Sequence, residues 1–129
     1  MENHLFNFCM KYFNIQEFDS PDHPGSGTNM DKRFLEMLDN AREIYGRPMH
    51  INSAYRTVYK NQEVGGKPNS AHLEGIAADV HCNNSRDRHD MVKAFIEAGF
   101  SRLGIGNTFI HIDSGDIHSD KDPNVIWTY

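Results

Sequence analysis

The chain is short of most features that would assign a protein early. It contains no run of eighteen apolar residues, so no stretch reads as a membrane span. Its two cysteines, Cys9 and Cys82, form no CxxC pair and are too few for a disulfide framework, so both read as buried thiols. Basic charge is not in excess. A net charge of −5 argues against nucleic acid or an anionic membrane as partner, since either would call for a basic face. Internal repeats and low-complexity tracts are absent, and the opening "MENHLFNFCMKYF" lacks the basic region and cleavage site of a signal peptide. That pattern predicts cytoplasmic synthesis.

What is present describes a folded domain. With 129 residues, 38% of them hydrophobic and 11% aromatic, the chain can build one hydrophobic core, read here as a single domain over 1–129. An aromatic-rich segment (4–13) leads into "EFDSPDHPGSGTN", a loop with two prolines and two glycines. The clearest helix follows, with Thr28 as a possible cap, Phe34, Leu38, Ala41 and Tyr45 on one stripe, and Gly46 with Pro48 as the stop. "HINSAYR" (50–56) alternates as a strand, "TVYKNQEV" (57–64) reads as a short helix and "GIAADVHC" (75–82) as a buried strand. A second helix opens at Ser85, with Met91, Val92, Phe95 and Ile96 inward and Gly99 as its end. "FSRLGIG" and "TFIHID" flank a Gly106-Asn107 turn, which predicts a hairpin. The tail from Ser114 is polar until "VIWTY". The predicted class is α+β: a small antiparallel sheet with flanking helices.

Eight histidines are the one compositional oddity. His72 stands at the mouth of a strand, Asp79 lies mid-strand between Ala78 and Val80, and His111 sits between Ile110 and Ile112. A carboxylate in an apolar run is costly to bury unless a cation or several donors hold it. For any one of these residues, a hydrogen-bonded place in the core is the commoner outcome. Together, two imidazoles and one carboxylate make the three-ligand set of a catalytic zinc site with a fourth position left for water.

"SAYR" (53–56), "SAHLEGIAAD" (70–79) and "FIHID" (109–113), in that order, closely resemble the motif series of the M15 zinc peptidases. These are D-alanyl-D-alanine carboxypeptidases and related peptidoglycan peptidases, which share a fold with the hedgehog signalling domain. The "EFDSPD" loop is similar to the short phage and bacterial branch. The resemblance covers residues 50–113 and implies one zinc ion held by His72, Asp79 and His111. It implies that Arg56 meets the substrate's carbonyl or carboxylate, an alternative to which is a structural pairing with a buried carboxylate. Ser70 would hydrogen-bond substrate or only cap the turn that carries His72. Gly75 supplies a turn between the ligands. Many members place an acidic general base three residues before the last histidine; here that residue is Thr108, followed by Phe109, and neither takes a proton at neutral pH. Asp113 shares a strand face with His111 and is the preferred base, or else an acceptor that orients the imidazole; Glu74 is a weaker candidate. Trp127 and Tyr129 either pack the tail or edge the groove.

The implied activity is hydrolysis of an amide bond in a peptidoglycan stem peptide by a monomer. It requires no nucleic acid and no membrane insertion, and access to the wall would come through phage-type lysis or a virion. A zinc-containing binding module, or a phage structural protein of the same fold, is the alternative.

Overall fold

A computed structural model describes residues 10–129. Cys9 and most of the aromatic-rich first segment lie outside them. Two 3₁₀ turns (Ile15–Phe18 and Ser26–Asn29) precede helix α1 (Lys32–Tyr45), strand β1 (Ile51–Ser53) and the short helix α2 (Val58–Glu63). Strand β2 (Ala77–His81), helix α3 (Ser85–Glu97), strands β3 (Arg102–Ile105) and β4 (Phe109–Asp113), helix α4 (Gly115–His118) and strand β5 (Val125–Thr128) follow. This is an α+β fold, as the sequence predicts.

The strands form one five-stranded sheet in the order β1-β2-β4-β3-β5. Its first four strands pair antiparallel, whereas β5 lies parallel to β3. Sheet and tail therefore differ from expectation at one edge. The polar tail forms a helical turn and then an edge strand, Val125–Thr128, too short and without the alternation that would announce it. Helix α1 starts later than Thr28 suggests: Asp31 is the cap, its carboxylate accepting the Phe34 N–H at 2.9 Å, while Thr28 belongs to the second 3₁₀ turn. In α3, Met91, Ala94 and Phe95 are buried, but Ile96 is exposed and Val92 only partly covered. The hairpin turns at Asn107 and Thr108, one residue later than predicted, because Gly106 N–H already pairs with Phe109 O at 2.9 Å.

The pleat of the sheet divides the molecule. Ala78, Val80, Leu103, Ile110 and Ile112 point to one face and pack with Phe34, Leu35 and Leu38 of α1 and Met91 and Phe95 of α3 into the main core. Cys82 is a buried free thiol beside it. The alternate residues of β2 and β4, among them Asp79, His111 and Asp113, occupy the other face. A large apolar side chain fully buried in the core contributes about 1.5–3 kcal/mol each, so the helical face supplies the stability. The opposite face is left for chemistry.

Candidate metal centre

Register assembles that second face. Ser53, Asp79, His111, Gly104 and Trp127 are successive partners across all five strands and form one row over the width of the sheet. His72 joins them from the loop before β2. That loop is a series of tight turns, with Leu73 N–H on Ser70 O and Glu74 N–H on Ala71 O, both at 3.1 Å. Two tethers fix it to the segment after β1: Arg56 N–H donates to His72 O at 3.2 Å, and His72 Nδ1 lies 2.7 Å from Ala54 O. Gly75 turns the chain back into β2 with φ of 73°, packed so tightly that a Cβ there would strike the backbone of Asn29.

One ligand atom from each of His72, Asp79 and His111 lies within 4.8 Å of the other two. Asp79 Oδ1 stands 2.9 Å from His111 Nδ1 and 3.4 Å from His72 Nε2. The outer nitrogens are already occupied. His72 Nδ1 faces a carbonyl, which only accepts, and His111 Nε2 lies 2.8 Å from Asp113 Oδ2. A neutral imidazole has one N–H; His72 spends it on the carbonyl, and His111 has a carboxylate at each nitrogen. With the His111 proton on the Asp113 side, two lone pairs converge with the Asp79 carboxylate on a common point, an arrangement that repels itself unless a cation or extra protons occupy the gap. The donor set, two nitrogens and one oxygen, suits zinc. Burial works against charge on Asp79, yet with protons in that gap hydrogen bonding from His111 and His72 outweighs it and holds the carboxyl well below its ordinary range. Burial likewise works to lower His111, and Asp113 with Asp79 outweighs it, raising the imidazole above its usual value.

Asp113 is 2% exposed, and both of its oxygens are committed. Oδ2 takes His111; Oδ1 accepts from Arg102 Nε at 2.7 Å and from Gly115 N–H at 2.9 Å. Of the two roles open to it from sequence, base or orienting acceptor, these contacts describe the acceptor. Burial pushes its carboxyl up, but the His111 bond and charge outweigh that and keep it ionised below the ordinary range. Glu74 is exposed and lies away from the cleft lining.

Arg56 reaches the same face. Its Nη2 is 3.7 Å from Asp79 Oδ2, Nε donates to Ser53 Oγ at 3.3 Å and Nη1 to Asn61 Oδ1 at 3.2 Å. Ser70 Oγ accepts the His72 N–H at 3.2 Å, the capping contact, and the side chain also borders the cleft. Sequence reading missed Asn61 and Arg102. Asn61 is 2% exposed and clamps both Arg56 and, through Nδ2, Lys67 O at 2.9 Å; an asparagine in a short polar helix carries no sign of this. Arg102 was findable, since an opposite-charge pair with Asp113 follows once the hairpin register is right. His72, Asp79, His111 and Arg56 open into a cleft of about 770 Å³ bordered by Lys67, Lys121, Asp120, Phe109, Trp127 and Tyr129. His81 is exposed and borders a different hollow with His50 and Cys82.

A sheet face that gathers two imidazoles and a carboxylate at the base of an open cleft could hold a metal ion with a position left for solvent. The family description peptidase M15 matches residues 11–113, and the chain belongs to that family. Its members are peptide-bond hydrolases and typically zinc-dependent. No curated protein matches the chain. Among the described residues no helix is long and apolar enough to cross a membrane.

Proposed function

We propose that the protein is a zinc metallopeptidase that hydrolyses an amide bond in peptidoglycan stem peptides, acting as a monomer on walls reached through phage-type lysis or from a virion. The observation that carries the reading is the convergence of the His72 Nε2 and His111 Nδ1 lone pairs on Asp79, open to a cleft, in a chain of the peptidase M15 family. His72, Asp79 and His111 would hold one zinc ion, which supplies Lewis acidity and brings the pKa of water toward about 7. Arg56, anchored by Ser53 and Asn61, holds a guanidinium edge toward the cleft where negative charge develops on the attacked carbonyl. Asp113 keeps the His111 proton on Nε2 and the Nδ1 lone pair inward. Ser70, which borders the cleft beside His72, would hydrogen-bond substrate.

The test is incubation of the zinc-loaded chain with purified peptidoglycan, followed by mass analysis of the released muropeptides. A defined cut that disappears on chelation and in Asp79→Ala is expected, and its mass identifies the bond as D-Ala–D-Ala, a D,D-crosslink or L-Ala–D-Glu. One observation favours a second reading, a zinc-containing binding module: the carboxylate nearest His111 after Asp79 has both oxygens taken. That reading expects peptidoglycan to be retained by the loaded protein with no new amine groups formed.

A further inference from the structure

The cleft wall beyond His111 is built by glycine. Gly104 lies between His111 and Trp127 in the row across the sheet, and a Cβ there would come within 2.5 Å of Trp127 Nε1 and 2.9 Å of the Tyr129 hydroxyl oxygen. Its absence lets the indole lie down over β3 until its ring is 5.6 Å from that of His111. Gly106, two residues on and on the same face, does the same for Phe109, whose ring occupies the space a Cβ would take. Phe109 in turn meets Tyr129 at 5.0 Å between ring centroids. Three aromatic rings thus continue from the candidate metal ligands along one side of the cleft, and Tyr129 is still 71% exposed. Arg56, Lys67, Asn69 and Lys121 also line the cleft, and the Arg102 guanidinium lies 5.3 Å from the Trp127 ring. The family match ends at Asp113, before β5 begins, so two of the three rings lie outside the matched residues.

We propose that Phe109, Trp127 and Tyr129 form a subsite for a hydrocarbon side chain next to the scissile amide, and that this wall sets which peptides the centre accepts. The inference rests on the metallopeptidase reading above. Its occupant follows from continuity: the wall shares a cavity with the ligand atoms, so whatever is held at the metal presents its neighbouring side chain to these rings. The ring faces supply the contact area, while the Tyr129 hydroxyl bonds the Trp127 side chain and offers a tail no apolar surface.

Straight-chain hydroxamates, from acetohydroxamate to hexanohydroxamate, test the wall on the zinc-loaded chain by titration calorimetry. The head group binds the metal while the tail reaches the rings. Each added methylene should tighten binding about fourfold until the wall is covered. Trp127 is the sole tryptophan, so its emission should also shift to the blue as the tail lengthens. Trp127→Ala and Gly104→Ala, the latter keeping the indole but displacing it, should still bind acetohydroxamate but lose the gradient. Tyr129→Phe should retain it. A flat wild-type series with acetohydroxamate still bound overturns the wall and leaves the metal reading standing. A gradient that persists in both Trp127→Ala and Gly104→Ala, or that vanishes in Tyr129→Phe, also overturns it. Acetohydroxamate that fails to bind the zinc-loaded wild type overturns the metal reading, and the wall with it.

Discussion

At the scale of single residues, the centre depends on where each proton is kept. Asp113 gives the sharpest case, because a base and an orienting acceptor leave different traces. With Oδ2 on His111 and Oδ1 on Arg102 and Gly115, its removal disturbs the ligand before it disturbs any proton transfer. Asp113→Asn should weaken zinc binding about 10–100-fold, measured by competition with a chromogenic chelator, and keep turnover within roughly tenfold of wild type at saturating zinc. Intact zinc affinity with turnover lost would make Asp113 the base after all. Asn61 allows a second prediction. It pins Arg56 Nη1 and the Lys67 carbonyl rather than any of the three candidate ligands, so Asn61→Ala should leave zinc content unchanged. The guanidinium then wanders, and kcat/KM should drop about tenfold, the loss from one misaligned charged hydrogen bond. Equal kcat/KM in variant and wild type would remove Asn61 from the site.

Secondary-structure elements were legible in the sequence to the extent that each carries a local signal. Periodicity exposed α1, α3 and the central strands, and a strand carboxylate among alanines pointed to Asp79. Signals that depend on pairing were not legible. The hairpin turn falls one residue later than a Gly-Asn pair suggests, and that displacement decides whether Arg102 faces Asp113 or His111. Strand β5 has four residues and pairs parallel with β3, a partner more than twenty positions away that no local pattern announces. Its Trp127 and Tyr129 therefore read equally as packing or as groove. Gly75 is an element-level feature that sequence did mark. Its positive φ and its contact with the Asn29 backbone are both closed to a side chain, and its carbonyl accepts the Asp31 N–H at 2.8 Å, tying the cap of α1 to the ligand loop. Gly75→Ala carries the left-handed penalty of about 1–2 kcal/mol with a backbone collision added. The variant should melt at least several degrees lower and bind zinc more weakly, since Gly75 sits between His72 and Asp79. Calorimetric melting with and without zinc measures both, and a wild-type profile would refute the strain.

For the molecule as a whole, the sheet keeps stability and chemistry on opposite faces. The core of α1, α3 and the inner strand residues contains none of the candidate metal ligands, which are tethered on the other face by hydrogen bonds to protein groups. The metal should therefore add to a fold that already exists, unlike small domains whose folding is metal binding. Exhaustive chelation is expected to leave the far-ultraviolet circular dichroism and a cooperative melt in place. Zinc at about a thousand times its dissociation constant should then add about 4 kcal/mol, roughly 10 °C or more in Tm for a domain of this size. The pH dependence has a definite sign. Protons compete with zinc for His111, and although burial opposes it, Asp113 and Asp79 raise that imidazole above its ordinary value. A proton is thus held at His111 at a higher pH than a free imidazole would hold it, so the zinc-dependent rise in Tm should be full in mild alkali. It should shrink as the pH falls through neutrality and vanish in acid, where His111 is protonated. Melting curves collected across that range with fixed zinc measure it. Loss of the circular dichroism signal on chelation would mean that the metal organises the sheet, and the division of labour between its two faces would be wrong.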